Sequence, residues 1–495
     1  MPMATTRLRP MLPFIAGLVL SATVADATPA GNREAGRLRS AITHHQVSIG
    51  GRVVGYTAAV REFRVADPAG RVGASVITIA YTRDEVAGAH RPLIFAFNGG
   101  PGASSSPLHM KALGPVIRAR AKPGEEPALV DNTVSVLDTA DLVFIDPVST
   151  GFSRALPGVD PRPWYDSRFD ADTVAAVIGQ WLHANHREGS PRYLMGESYG
   201  TIRAGLIVTR VPRLRFDGVL LVSGMGAPLD APADVRIVSS IASMAAGAWY
   251  HRKVDRRGLS SADFFHEAMV FARGPYAQAL ARGQDLPEDD KRRIATQLSA
   301  FIGLPVDLIL KEDLRIEANT YMFNLLKDQG LRTGRLDLRV TGPLAPGQEG
   351  AIDDPALGVV KPGAHSGPAP TPASIGAVES PDVGRYLTQQ LHFASTEPYI
   401  GVNFLANSQW TFHPDPSTEV NLAAAMSRDH RLRLFVTAGY FDFGAADGRL
   451  FLQAGVPAQR FVFVPLPGPH EVYEGVENRA AFNQAVRQFV SRFHP

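Results

Sequence analysis

Ser198 sits inside Gly196-Glu197-Ser198-Tyr199-Gly200, with the apolar run Tyr193–Met195 before it and the helix-like pattern Ile202–Val208 after it. Strand, tight turn and helix in that order lift a serine hydroxyl out of the chain, where another molecule can meet it. The flanking glycines leave room for backbone at a turn too sharp for side chains. A serine hydroxyl becomes a useful nucleophile only when a base takes its proton, so a histidine and an acid are needed. Both occur later in the chain. Leu432–Val436 leads into Thr437-Ala438-Gly439-Tyr440-Phe441-Asp442, and Phe461–Val464 leads into Pro465-Leu466-Pro467-Gly468-Pro469-His470. We read His470 as general base and acid, and Asp442 as the group that holds its ring tautomer. Asp447 is the competing acid, set farther past its strand.

A second glycine-rich stretch, Asn98-Gly99-Gly100-Pro101-Gly102-Ala103-Ser104-Ser105, follows the apolar run Leu93–Phe97. Beside a serine nucleophile, a loop in this place offers a backbone N–H to the oxyanion of acyl transfer. A phosphate cradle would need a Lys-Ser/Thr pair after the glycines, and none follows. His183 and His186 have helical spacing but no third ligand nearby, so no metal is expected. No cofactor is called for either.

The elements that must hold these residues alternate. Leu93–Phe97, Leu142–Ile145, Tyr193–Met195, Val219–Val222, Leu432–Val436 and Phe461–Val464 are short apolar runs of the kind buried on both faces of a parallel sheet. Between them lie helical patterns such as Asp172–His186, Ser417–Ser427 and Arg479–Phe493. Val47–Tyr81, with its Gly-containing turns, reads as an antiparallel edge. The fold class that follows is α/β, an α/β-hydrolase fold: a doubly wound, mostly parallel sheet. The alternation stops over 230–408, where Val235–Trp249, Ala262–Arg282 and Pro287–Phe301 are helical with no strand between them. We expect a helical cap there, carrying an irregular Pro/Gly-rich loop over 342–372. The sheet domain then comprises residues 28–229 and 409–495.

Residues 1–27 read as a signal peptide: Arg7 and Arg9, an apolar stretch from Met11 to Ala25 too short to span a bilayer, then Ala25-Asp26-Ala27. The expected location is periplasmic or secreted, with no membrane contact after cleavage. Cysteine is absent, which excludes thiol nucleophiles and thiolate metal sites. The formal net charge of +2 falls to +1 once Arg7, Arg9 and Asp26 are removed. With no basic stripe, nothing points to a nucleic-acid partner.

Asn98-Gly-Gly-Pro-Gly-Ala-Ser-Ser105, Asp146-Pro-Val-Ser-Thr-Gly-Phe-Ser153, Gly196-Glu-Ser-Tyr-Gly200, Ala438-Gly-Tyr-Phe-Asp442 and Gly468-Pro-His470 together resemble the successive motifs of the serine carboxypeptidase family. Gly334-Arg335-Leu336-Asp337 looks most like its bacterial members. The resemblance implies a cofactor-free enzyme that takes a peptide as partner and releases C-terminal residues, with an esterase or acyltransferase on the same triad as the alternative. It also implies that Gly100 and Tyr199 are the oxyanion donors, and that Asn98 and Glu197 bind the substrate's terminal carboxylate. Two departures stand out. Ala103 replaces the family's usual cysteine, and Ala112 stands before Leu113-Gly114-Pro115 where a second acid is common. The second departure predicts a weaker preference for free C-termini.

Overall fold

The computed structural model describes residues 38–84, 90–119, 127–224, 231–344, 354–357, 371–443 and 447–491. Its frame is one large sheet. The long strands β1 (Ser40–Ile49), β2 (Arg52–Ala66) and β3 (Val72–Arg83) form the antiparallel edge expected from Val47–Tyr81. Six further strands follow: β4 (Leu93–Phe97), β5 (Asp141–Asp146), β6 (Arg192–Glu197), β7 (Gly218–Val222), β8 (Arg433–Gly439) and β9 (Phe461–Leu466). Their spatial order is β1-β2-β3-β5-β4-β6-β7-β8-β9. β3 meets β5 antiparallel, and every pairing from β5 onward is parallel.

Why these runs are apolar throughout is visible in β4. Ile94 and Ala96 face one hydrophobic cluster together with Met195, Leu220 and the C-terminal helix residues Phe482 and Val486. Phe95 and Phe97 face the opposite cluster together with Leu194, Leu221, Ile178 and Ile207. Both faces are covered by helices, so alternation of side chains along the strand gives no polar side. The longer helices of the chain are α1 (Ser167–Ala184), α2 (Tyr199–Arg210), α3 (Ala233–Tyr250), α4 (Ser261–Phe271), α5 (Glu288–Ile302), α6 (Thr418–Arg428) and α7 (Val476–Ser491). Asp166 caps α1 by accepting from the N–H groups of Arg168 and Phe169, both at 3.0 Å.

The insertion packs in two parts. Residues of α3 to α5 and the segment to Leu338 build their own core, in which Met244, Leu298 and Tyr321 meet Tyr440, Phe441 and Phe443 of the loop after β8. By contrast Val383, Tyr386, Leu387 and Tyr399 pack into the cluster under the main sheet. Ala103 and Gly151, in loops of the main sheet, also form bridges to Val402 and Ile400. By packing, residues near 383–402 thus go with the sheet, not with the cap. The helix expected over Ala262–Arg282 is interrupted at Ala272–Tyr276, where Pro275 removes a backbone donor. Gly342 and Pro343, expected to be irregular, instead belong to the strand Thr341–Pro343, which pairs antiparallel with Leu331–Thr333. Within the Pro/Gly-rich run, residues 345–353 and 358–370 lie outside the described residues, as does the signal peptide. Among the described residues no helix is long and apolar enough to cross a membrane.

Candidate active site

β6 ends at Glu197 and α2 begins at Tyr199, which leaves Ser198 alone in the turn with φ 58° and ψ −127°. Such a conformation costs a non-glycine residue on the order of 1–3 kcal/mol, and its surroundings impose it. The Ser198 N–H donates to the Val222 carbonyl at 2.9 Å, and the Ser198 carbonyl accepts from the Thr201 N–H at 2.9 Å and its hydroxyl at 2.7 Å. A Cβ at Gly196 would stand 2.1 Å from the Gly200 carbonyl oxygen, and one at Gly99 would stand 2.4 Å from the Tyr199 nitrogen. Both glycines are therefore demanded by close backbone approach.

Parallel pairing brings the ends of β4, β6, β7, β8 and β9 to one edge. There the expected acid and base meet: His470 Nδ1 lies 2.8 Å from Asp442 Oδ2. Asp442 is buried, whereas 19% of the His470 side chain is exposed. Burial by itself disfavours a charged ring. The Asp442 carboxylate, helped by Glu197, outweighs it and holds the His470 pKa up to about 9. The alternative acid, Asp447, is engaged elsewhere: it caps the helix Gly448–Gln453 and pairs with Arg273 and Arg449.

Ser198, Asp442 and His470 line one cavity of about 560 Å³, and Gly100 and Tyr199 lie on the same wall. Tyr199 is the first residue of α2, so its N–H has no acceptor within the helix. A hydroxyl nucleophile, an imidazole held by a carboxylate and backbone donors around one space can carry out acyl transfer. Among the described residues no cluster of three or more His, Asp or Glu is placed to hold a metal ion.

Asn98 and Glu197 are both buried. Each is 3% exposed, and neither is among the residues lining the cavity. The Asn98 side-chain oxygen accepts from the Leu108 N–H at 3.1 Å, and a Glu197 oxygen accepts from the Tyr473 hydroxyl at 2.7 Å. Burial, and then the nearby charge of Glu471, push the Glu197 carboxyl up to about 8. The shift favours the protonated form, which has a proton to donate. Ala112 is wholly buried. The acid in this neighbourhood is Glu471, next to His470 in sequence and tied to Lys111 at 2.6 Å.

Several residues around the site carry no motif. Arg203, fully buried in α2, donates to Asp170 at 2.6 Å and to the Asn98 carbonyl at 2.7 Å. Its guanidinium also lies over the rings of Phe97 and Tyr199. The one signal in the chain is spacing, since Arg203 stands a helical turn after Tyr199, a charge on a face that must be buried. Ser223, at the end of β7 with φ 48°, donates to the His470 carbonyl at 2.5 Å. The Gly334–Asp337 segment of the insertion is stitched to both late loops. The Phe443 N–H donates to the Arg335 carbonyl at 3.0 Å, and the His470 N–H donates to the Leu336 carbonyl at 2.8 Å.

A model of the family described as serine carboxypeptidase matches residues 80–211. Two curated relatives from Arabidopsis thaliana are similar over the same scale. Serine carboxypeptidase-like 12 is 31% identical over 121 residues, and serine carboxypeptidase-like 11 is 32% identical over 123. Each match covers 24% of this chain and 26% of the relative, so the likeness spans about a quarter of either protein. Among solved structures, a prohormone-processing carboxypeptidase from Saccharomyces cerevisiae superposes with a TM-score of 0.52. At 13% identity, covering 88% of this chain and 90% of that one, it shares the α/β-hydrolase fold. The relatives are plant proteins, and the bacterial-type likeness read from Gly334–Asp337 finds no support among them. The segment holding the Gly-rich loop and the Ser198 turn is similar to the serine carboxypeptidases.

Proposed function

We propose that this protein is a serine carboxypeptidase, releasing C-terminal residues from peptides through an acyl-enzyme. The reading is carried by the 2.8 Å contact between His470 and Asp442 on a cavity they share with the strained Ser198. His470 takes the Ser198 proton as the hydroxyl attacks the scissile carbonyl, then hands it to the leaving amine. Asp442 fixes the ring and stabilises the imidazolium. The backbone N–H groups of Gly100 and Tyr199 receive the developing oxyanion. Water then attacks the acyl-enzyme, with His470 again as base. Asn98 and protonated Glu197 take the terminal carboxylate in this reading, on the strength of the family resemblance. A secreted or periplasmic location is part of the proposal and rests on Arg7, Arg9 and the apolar stretch to Ala25.

A fluorophosphonate should label the wild-type protein and not the Ser198→Ala variant. N-blocked dipeptides, their C-terminal amides and simple esters are then compared as substrates. Turnover of esters without any peptide would replace this reading by an esterase. Labelling that persists in Ser198→Ala would overturn the assignment of the nucleophile.

A further inference from the structure

Gly334–Asp337 belongs to the insertion, yet its backbone bonds directly to both loops of the catalytic edge. The Arg335 N–H donates to Asp354 at 2.9 Å, and its carbonyl accepts from Phe443, the residue after Asp442. The neighbouring Leu336 carbonyl accepts from His470 itself. Asp354, which is 4% exposed, also receives the Leu336 N–H at 3.3 Å and the Ala356 N–H at 2.9 Å. The backbone of Arg335 is thereby held from both sides, against the acid loop and against a buried carboxylate.

Its side chain is another matter. Arg335 is exposed and lines the cavity that Ser198 and His470 share. Its charge is close enough to oppose protonation of His470. Among the described residues no carboxylate forms an ion pair with it. The cavity wall carries a second cation, Arg236, which donates to the Ala231 carbonyl at 2.6 Å. Against these stand Glu317, exposed on the same wall, and Asp442, which is committed to His470. A guanidinium fixed at its root and facing a site of acyl transfer is matched by a planar anion, because its N–H fork meets two carboxylate oxygens at once.

Building on the proposed peptidase activity, we propose that Arg335 is a specificity-determining residue that pairs with a carboxylate of the peptide substrate. That carboxylate is either the C-terminus or an acidic side chain beside the cleaved bond. Asn98 and Glu197 do not line the cavity, whereas Arg335 does.

The test uses N-blocked dipeptides in four forms: free acid or amide, each with a neutral or an acidic side chain beside the scissile bond. Wild-type protein should favour one anionic form in kcat/KM, and the preference should shrink as salt rises. In Arg335→Gln that ratio should fall by about tenfold or more, the worth of a charge-assisted hydrogen bond. Arg335→Lys should fall between, keeping charge but losing the fork. If only the acid-to-amide ratio collapses, the anion is the C-terminus; if only the acidic-to-neutral ratio collapses, it is the side chain. Unchanged ratios in Arg335→Gln, with Ser198 still labelled by fluorophosphonate, overturn this inference and leave the peptidase reading intact. Calorimetry of the same peptides with Ser198→Ala and with Ser198→Ala/Arg335→Gln reads the preference without turnover. Loss of fluorophosphonate labelling in the wild type would instead strike the peptidase reading. Equal affinities across the four forms, or no binding of any of them, would overturn the role of Arg335.

Discussion

The Arg203 guanidinium donates to the main-chain carbonyl of Asn98 across 2.7 Å, tying the helix behind Ser198 to the loop that carries Gly100. One buried cation thus holds both segments proposed to supply oxyanion donors. Its charge is balanced by Asp170, whose carboxylate also accepts from the Tyr199 hydroxyl at 3.2 Å.

Arg203→Ala should therefore act twice. Removing one partner of a buried pair leaves Asp170 uncompensated, which costs about 3–5 kcal/mol in denaturant unfolding. Turnover should also fall, by up to the roughly 10²–10³ in kcat that loss of one oxyanion donor brings. Arg203→Met combined with Asp170→Leu should recover much of the stability, because the unpaired charge is gone. It should not recover kcat, because the Asn98 carbonyl remains untied. Recovery of both together would show that Arg203 serves stability alone.

For the triad, Ser198→Ala and His470→Ala should each remove nearly all turnover, leaving about 10³–10⁴-fold over water from the oxyanion donors and binding. The double variant should be scarcely slower than either single one, since the residues act as a unit. Asp442→Asn should cost about 10⁴ in kcat through the wrong ring tautomer while the fold survives. Additive losses in the double variant would remove His470 from the role of base.

The pH dependence follows from the two raised groups. With His470 held up to about 9, the neutral ring that can accept the Ser198 proton is the minor form at pH 7. kcat/KM for an uncharged ester should then climb about tenfold per pH unit and level off near 9. In the proposed reading peptide free acids are bound by protonated Glu197, whose carboxyl is raised to about 8. Their profile should turn over between 8 and 9, and Glu197→Gln should remove that fall. Superimposable profiles for ester and peptide would exclude a titrating Glu197 from carboxylate binding.

Stability should fall as pH rises. Glu197 titrates at about 8 when folded, above its ordinary 4.5, so the unfolded chain gives up this proton first. The folded state is then penalised as pH climbs from 4.5 through 8. His470 is also raised, from 6.5 to about 9, so its contribution is full below 6.5 and lost as pH rises through 9. Denaturation midpoints should fall between pH 5 and 9. In Glu197→Gln the slope should flatten, because one titration is gone and the His470 pKa comes down with it. An equally steep slope in that variant would mean that other groups set it.

How much of this was legible beforehand differs from residue to residue. β4 to β9 were readable as apolar runs because both faces of a parallel strand are buried, so burial leaves its mark on consecutive residues. The turn that holds Ser198 is legible because it imposes local demands, glycine at 196 and at 99. Arg203, Asp170, Ser223 and Tyr473 are not, since each matters through a partner far away in the chain, and one buried arginine in a helix leaves no repeated pattern. The cap shows the same limit. Its helices were evident from their periodicity, but nothing local could say that Leu336 would bond His470 or that residues near 383–402 would join the sheet. Strand–helix alternation and the chemistry-bearing turns are legible along the chain because they depend on neighbours within a few residues. Only packing buries Glu197, exposes Arg335 to the cavity and merges the core of the cap with the acid loop. Those outcomes depend on which surfaces pack together across hundreds of residues, and burial and pairing follow from that packing.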